Sequence, residues 1–207
     1  MKLLLFSDLH CNTHATKRLV EQAQYVDVVI GAGAFGNVRQ GTELTIDILN
    51  SIDRPTVLVP GNSESTEELT LACKSWPQAQ VLHGSGITIL GVDFFGLGGG
   101  VPVTPFGSWS YDFTEEQART LLADCPPRCV LVSHSPPKGA VDRSSDGRSL
   151  GSLAIRETIE HKQPSLVVCG HIHASAGQSD TIGTTTVINA GPRGVEYDLS
   201  NFKSGSS

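Results

Sequence analysis

The stretch Leu3-Leu4-Leu5-Phe6-Ser7-Asp8-Leu9-His10 places a carboxylate and an imidazole directly after a run of four apolar residues. Such a run, bounded by polar residues, predicts a buried β-strand. Four later apolar runs, at residues 28–30, 57–59, 130–132 and 166–169, lead into Gly33-Ala34, Asn62, His134 and Gly170-His171-Ile172-His173. In open sheets with helices on their faces, sites form beyond the carboxyl ends of the strands, so we expect these side chains to meet in one crevice.

The composition excludes several classes of protein. A formal net charge of −6 over 207 residues argues against a nucleic-acid polymer as the main partner. The five cysteines are odd in number and form no CxxC pair, which indicates reduced thiols. The N-terminus shows no signal-peptide pattern, and no apolar run approaches the roughly 18 residues of a membrane span. We therefore expect a soluble, cytoplasmic protein that does not bind membranes.

The segments between the apolar runs have helical or hairpin patterns. The predicted helices cover residues 13–24, 41–52, 66–76 and 114–124, and a predicted hairpin covers residues 87–97. Within residues 41–52, we expect the stripe of Leu44, Ile48 and Leu49 to face the core. A βαβ rhythm on each side of the hairpin predicts an α/β fold with a sheet-on-sheet core and helices outside.

The domain organisation follows from the same pattern. Residues 1–200 contain no internal repeat and no linker, so we predict a single domain. Residues 201–207 are short, polar and rich in Gly and Ser, and two interpretations stay open for them: a disordered tail or a remnant of the expression vector.

The side chains that follow the strands form one chemical class. Asp, His and Asn without a thiolate are ligands suited to Mn²⁺, Fe or Zn²⁺ in a shell of nitrogen and oxygen. Asp8 and His10 are two residues apart after a strand, and His171 and His173 repeat that arrangement. The remaining histidines lack this context, and we interpret His14, His83 and His161 as ordinary surface or core residues.

The order of these motifs resembles the calcineurin-like metallophosphoesterases. That family's pattern is D-x-H, then G-D, then G-N-H-E, then a lone H before P-P, then G-H-x-H. The matching stretches here are Asp8-Leu9-His10, Gly33-Ala34, Gly61-Asn62-Ser63-Glu64, His134-Ser135-Pro136-Pro137 and Gly170-His171-Ile172-His173. The resemblance covers nearly the whole chain and implies a four-layer α-β-β-α sandwich with mixed sheets. Pro136-Pro137-Lys138-Gly139 and Asn189-Ala190-Gly191 are more narrowly similar to the small phosphodiesterase branch first met as fetal-brain proteins.

The resemblance also implies a ligand set and an activity. One divalent ion would be held by Asp8, His10 and His173, and the other by Asn62, His134 and His171. The implied enzyme is a phosphodiesterase that cleaves a small phosphodiester or nucleotide through two-metal activation of water. In this scheme Asn62 and His134 have a catalytic role as well.

Ala34 occupies the position where the family has an Asp that bridges the two ions. Two dications about 4 Å apart repel each other by roughly 16 kcal/mol at an effective dielectric constant near 20, and the bridging carboxylate normally offsets this repulsion. We therefore predict that the first site binds a metal, that the second is weak or empty, and that the chain as written is inactive or impaired. An introduced Asp→Ala change and a naturally degenerate enzyme both remain open as explanations.

Three further positions bear on the substrate. Ser63 stands where many relatives carry the His that protonates the leaving group, and losing a general acid typically costs about 10²–10⁴ in rate. Ser63 is therefore a candidate catalytic residue that favours activated or cyclic diesters, or else it is only a turn residue. Asn12 and Arg193, together with Asn62, are candidate phosphate ligands. Most arginines are solvated surface groups, and this alternative stays open for Arg193.

A non-catalytic alternative uses the same fold. A binding or scaffold module, similar to the retromer subunit of this fold, would explain Ala34 and Ser63. Six of the seven metal-ligand positions survive, however, and a scaffold does not need them. We therefore favour the enzyme; the substrate, the native metal and the oligomeric state do not follow from the sequence.

Overall fold

The structure is a computed structural model that describes residues 1–199. Its strands are β1 Lys2–Phe6, β2 Val28–Gly31, β3 Thr56–Leu58, β4 Ala79–Val81, β5 Ser85–Ile89, β6 Val92–Leu97, β7 Val130–Ser133, β8 Leu166–Cys169, β9 Ser179–Ile182, β10 Thr185–Asn189 and β11 Val195–Asp198. Its α-helices are α1 Thr13–Ala23, α2 Thr42–Leu49, α3 Thr66–Ala72, α4 Glu115–Leu122 and α5 Leu153–Lys162. The tail predicted at residues 201–207 lies outside the described residues.

The strands form two mixed sheets. The first has the order β11-β1-β2-β3-β4, in which only the β11–β1 pair is antiparallel. The second has the order β5-β6-β7-β8-β10-β9, with a parallel centre and an antiparallel pair at each edge. The β5–β6 pair is the hairpin that the sequence predicts around Gly91.

The two sheets pack face to face with helices on their outer faces. Alternation along β1 directs Leu3 and Leu5 into the layer between the sheets, and Leu4 and Phe6 toward the helices α1 to α3. The second sheet packs its outer face against α4 and α5, for example through Leu122. The predicted four-layer α-β-β-α sandwich is therefore confirmed.

Helix boundaries follow the capping signals in the sequence. Asn12, Ser65 and Thr114 each accept a backbone hydrogen bond at the start of a helix, and the last two complete capping boxes. The stripe predicted for α2 is wrong in part: Leu49 is buried as expected, but Leu44 is 52% exposed and Thr45 is buried instead. The Thr45 hydroxyl donates to the Phe35 carbonyl at 3.0 Å, and this hydrogen bond satisfies the hydroxyl on the buried face that Thr45 shares with Ile46 and Leu49.

No helix within residues 1–199 combines the length and the apolar character needed to cross a membrane.

Candidate metal centre

The loops that follow β1 and β2 are bonded to each other through their backbones. The Asp8 N–H donates to the Gly33 carbonyl at 2.9 Å, and the His10 N–H donates to the Ala34 carbonyl at 3.0 Å. Several residues of these loops have a left-handed backbone: Asp8 at φ 56°, His10 at φ 44°, Ala34 at φ 59° and His171 at φ 66°. Such conformations cost energy for residues other than glycine and concentrate at functional sites.

Asp8, His10 and His173 converge from opposite ends of the chain. Asp8 Oδ1 lies 3.9 Å from His10 Nε2 and 3.6 Å from His173 Nε2, and the two Nε2 atoms are 3.1 Å apart. Metal–ligand bonds of about 2.0–2.2 Å place neighbouring ligand atoms about 3 Å or slightly more apart. The three atoms therefore fit around one divalent ion with little movement.

Asn62, His134 and His171 form a second group beside the first. His134 Nε2 lies 3.3 Å from Asn62 Oδ1, and the His134 and His171 rings are 4.9 Å apart between centroids. The structure therefore brings together all six residues proposed as metal ligands, in two groups of three. The second group has no carboxylate, and the buried methyl of Ala34 lies on the loop between Asp8 and Asn62.

Hydrogen bonds fix which ring nitrogen faces the centre. His134 Nδ1 donates to the Ala32 carbonyl at 2.7 Å, and His10 Nδ1 donates to the Gly36 carbonyl at 3.1 Å, so both Nε2 atoms carry a lone pair. The Asn62 amide donates to Ser110 Oγ at 2.9 Å, which turns its Oδ1 toward His134. Two acceptor atoms thus face each other at 3.3 Å, an arrangement that suits a cation between them.

Burial and charge set the protonation of these groups. Burial alone would raise the pKa of Asp8, but the hydrogen bond with His173, the nearby His134 and the Ser7 hydroxyl together lower this pKa to about 2. Burial lowers the pKa of His171 to about 3, and neighbouring His134 adds to this effect. The hydrogen bond with Asp8 raises the pKa of His173. The centre therefore combines an ionised carboxylate with neutral buried imidazoles, as metal binding requires.

Glu64, the last residue of the Gly61-Asn62-Ser63-Glu64 motif, supports the centre, a role that the motif alone does not reveal. Its carboxylate is fully buried and accepts from the backbone N–H groups of Gly61, Ala34, Phe35 and Gly36. Burial raises the pKa of Glu64, and these four donors oppose that rise. The side chain thus ties the loop after β2 to the loop that carries Asn62. The available signal was the position of this glutamate in the short loop between β3 and α3. A carboxylate that is buried in such a loop needs several hydrogen-bond donors.

The three residues proposed to contact the substrate differ in their hydrogen bonds and in their burial. The Asn12 carboxamide caps α1 by accepting from the Ala15 N–H at 3.0 Å, which leaves its own N–H groups for a ligand. Ser63 is buried, and its carbonyl accepts from the Arg39 N–H at 3.0 Å. Arg193 is exposed and lines a crevice of about 670 Å³ that also borders Asp8 and His173.

Comparisons with known proteins show the family and the fold of this chain. A model of the calcineurin-like phosphoesterase superfamily domain matches residues 1–202. A UPF0046 protein of Caenorhabditis elegans is 35% identical over 109 residues, which are 53% of this chain and 36% of that protein. The match thus spans little more than a third of that relative's length.

Two solved structures show the same fold. A protein of Thermus thermophilus aligns over 96% of this chain and 98% of its own, with a TM-score of 0.75 and 16% identity. A dimetal phosphatase from Danio rerio aligns over 91% of this chain and 86% of its own, with a TM-score of 0.62 and 13% identity. At such identities the likeness concerns the fold alone.

Proposed function

This chain belongs to the calcineurin-like phosphoesterase superfamily, and we propose that it is a metal-dependent phosphodiesterase acting on a small phosphodiester or nucleotide. The observation that carries the proposal is the pair of adjacent groups, Asp8, His10 and His173 beside Asn62, His134 and His171. Divalent ions held there would lower the pKa of a water molecule and neutralise charge on the phosphoryl oxygens.

The residues of the chain divide the remaining tasks. Asp8 supplies the fixed negative charge that holds a cation, and Ser7 and the His171 N–H orient its oxygens. The Asn62 and His134 side chains sit where they would contact both a metal and the phosphate. Asn12, with free amide protons at the start of α1, is placed to donate to a phosphate oxygen, because helix N-termini favour anions. Arg193 would hold a second phosphate oxygen from the crevice side.

The phosphodiesterase type is supported by the residue at position 63. Ser63 is buried and is not an imidazole, so it offers no group that is readily protonated near neutral pH. Without a general acid, a phosphoester is cleaved easily only if its alcohol leaves as a stable anion or if the ester is cyclic and strained. We therefore expect activated or cyclic diesters to be cleaved before simple alkyl monoesters.

Ala34 makes the two halves of the centre unequal. The group around Asp8 contains a carboxylate, whereas Asn62, His134 and His171 are all neutral. The proposed consequence is one firmly bound ion, of Mn²⁺, Fe or Zn²⁺, and one weak site. Ala34 is also the observation that favours the second candidate, a binding or scaffold module without catalysis.

A cytoplasmic location remains part of the proposal. It is supported by the five cysteines, all of which are free thiols, and by the absence of any need for a disulfide in a core of this size. The net charge of −6 supports a small substrate rather than a nucleic-acid polymer or a membrane.

The test compares three proteins in Mn²⁺-dependent hydrolysis of bis-p-nitrophenyl phosphate. Because one electrostatic group in an active site is typically worth about 10²–10³ in rate, we expect Ala34→Asp to increase the rate about a hundredfold. Ala34→Asn has the same shape without the charge and should give little gain. No hydrolysis by any of the three, with Mn²⁺ shown to be bound, would overturn the enzyme and favour the binding module.

A further inference from the structure

The loop between β6 and α4 carries a pair of aromatic side chains, Phe106 exposed and Trp109 partly buried, that the proposed chemistry does not use. Phe106 and Trp109 stack with ring centroids 5.5 Å apart and planes at 17°. Phe106 is 50% exposed, although an aromatic ring of this size normally gains from burial. We call residues 105–109, which contain this pair, the aromatic arm.

The base of the aromatic arm is fixed by a small polar network. Asp112 accepts hydrogen bonds from the Thr104 N–H at 2.8 Å, from the Thr104 hydroxyl at 2.6 Å and from the Ser110 hydroxyl at 2.8 Å. The residues on either side of the arm are thereby held together. The five residues between them project as a short loop with a fixed origin.

The same base is bonded to the second group of the metal centre. Ser110 Oγ accepts from the Asn62 amide at 2.9 Å, and the Tyr111 N–H donates to the Asn62 carbonyl at 3.0 Å. On the other side of the loop, the Val101 N–H donates to the hydroxyl of Ser135, the neighbour of His134, at 2.8 Å. Since consecutive Cα atoms are about 3.8 Å apart, the Trp109 backbone lies within about 10 Å of Asn62.

The order of the strands places the aromatic arm and the crevice at opposite ends of the centre. In the first sheet, the loop of Arg193 precedes β11 and Asp8 follows the neighbouring strand β1. Asn62 follows β3, which is three strands away from β11. In the second sheet, the arm follows β6, whereas Gly191 in the crevice follows β10. Neighbouring strands are about 4.8 Å apart, so the two ends are separated by about 14 Å, and the ligands from Asp8 to Asn62 extend over about 10 Å of this distance.

We propose that the aromatic arm binds a flat aromatic group on one ester of the substrate, stacked on the exposed face of the Phe106–Trp109 pair. This inference rests on the proposed function, because it places the phosphate at the metal centre and the second ester group in the crevice. Stacking on an aromatic side chain accepts any planar ring, which makes the arm selective for aryl or nucleobase esters over alkyl esters.

The test measures binding of two phosphonates that differ only in the ring. Phenylphosphonate and methylphosphonate have a C–P bond that the proposed chemistry does not cleave, so calorimetric titration of the Mn²⁺-loaded protein reports binding alone. We expect phenylphosphonate to bind about tenfold more tightly than methylphosphonate, a difference of about 1.4 kcal/mol. Trp109→Ala should remove this preference and leave methylphosphonate binding unchanged. Phenylphosphonate should also change the fluorescence of Trp109, while Trp76 in the core is insensitive.

Tyr25→Ala is the matched control. Tyr25 is 74% exposed and precedes β2, at the end of the sheet opposite to the metal centre, so its removal should leave the preference intact. An equal preference for phenylphosphonate in the wild-type protein and in Trp109→Ala, or no binding of phenylphosphonate, would overturn the role proposed for the aromatic arm. An equal loss of both ligands in Trp109→Ala would also overturn it, because the arm would then act only by positioning Asn62. A preference that depends on Trp109, found while the Ala34→Asp variant also shows no hydrolysis, would support the arm and overturn the proposed function alone.

Discussion

Ala34 determines the charge of the centre. Its backbone has φ 59°, a conformation that Asp and Asn adopt more readily than Ala. Among the six proposed ligands, Asp8 alone is a carboxylate, and His134 and His171 are neutral because burial lowers their pKa values. The backbone therefore suits a carboxylate that the side chain does not provide, and this is why restoring Asp should add a metal site without remodelling the loop.

The lowered pKa of His171 predicts a loss of stability in mild acid. The pKa of His171 is about 3 in the folded protein, against 6.5 for a fully solvated histidine. The contribution of the neutral His171 to folding stability is therefore complete above pH 6.5 and is lost as the pH falls toward 3. For the metal-free protein at pH 5, this single group should lower the free energy of unfolding by about 2 kcal/mol relative to pH 7.5. Urea unfolding at both pH values measures it.

His171→Gln serves as the comparison, since glutamine does not titrate in this range. The variant should lose about 2 kcal/mol less than the wild-type protein between pH 7.5 and pH 5. Equal losses in the two proteins would show that His171 does not cause the acid sensitivity.

Glu64 should be needed for stability because it satisfies four buried donors. In Glu64→Gln one oxygen is replaced by an NH₂ group, so the Gly36 N–H loses its acceptor and faces a donor. We expect the free energy of unfolding to fall by about 2–3 kcal/mol, measured by urea denaturation. Glu68→Gln is the control: Glu68 is a partly exposed member of the α3 capping box, and its replacement should cost less than about 1 kcal/mol. Similar costs at both positions would contradict the role given to Glu64.

At the scale of elements, the end of β10 holds the loop that carries His171 and His173. Asn189 is buried, and its amide donates to the carbonyls of Gly170 and Ile172, both at 3.1 Å. Asn189→Ala should therefore loosen this loop and weaken Mn²⁺ binding about tenfold or more, as is typical when a residue that orients a metal ligand is lost. Calorimetric titration with Mn²⁺ measures the change.

Thr185→Val is the matched control at the other end of the same strand. The Thr185 hydroxyl is buried and donates to the Pro164 carbonyl at 2.7 Å, so its loss should lower stability but leave Mn²⁺ affinity unchanged. A reduced Mn²⁺ affinity in both variants would mean that β10 affects the site only through overall stability.

Individual elements were predictable where a local signal exists. The boxes Ser65-x-x-Glu68 and Thr114-x-x-Gln117 mark the starts of α3 and α4 because the hydrogen bonds that stabilise them lie within four residues. The face of α2 was predictable only in part: Leu49 is buried as expected, but apolar spacing does not reveal that a hydrogen-bonded Thr45 is buried and Leu44 is not. Strands β4, β9 and β11 are short edge strands with little apolar pattern, and their pairing depends on the rest of the sheet.

At the scale of the whole molecule, the apolar runs indicate the six candidate ligands, whereas only the family resemblance divides them into two groups of three. Each follows an apolar run, and the strand ends meet at one edge of the two sheets. The backbone of the loop after β8 decides that the His173 side chain, and not that of His171, lies beside the Asp8 carboxylate. The contact between Ser110 and Asn62 joins residues 48 positions apart and has no local signature.

The same arrangement gives the molecule a site with two distinct ends. The crevice beside Arg193 is open and bordered by small residues, whereas the other end carries the aromatic arm. A diester has two different groups on one phosphate, and a centre between two unlike ends is suited to that shape.

The number of metal ions bound per chain tests the central claim most directly. Titration with Mn²⁺, followed by removal of free metal and elemental analysis, should find one tightly bound ion in this protein and two in Ala34→Asp. Asp8→Asn should abolish tight binding, because it removes the one carboxylate of the centre. Two tightly bound ions in the unaltered chain, or none in either protein, would contradict the assignment of a single strong metal site to Asp8, His10 and His173.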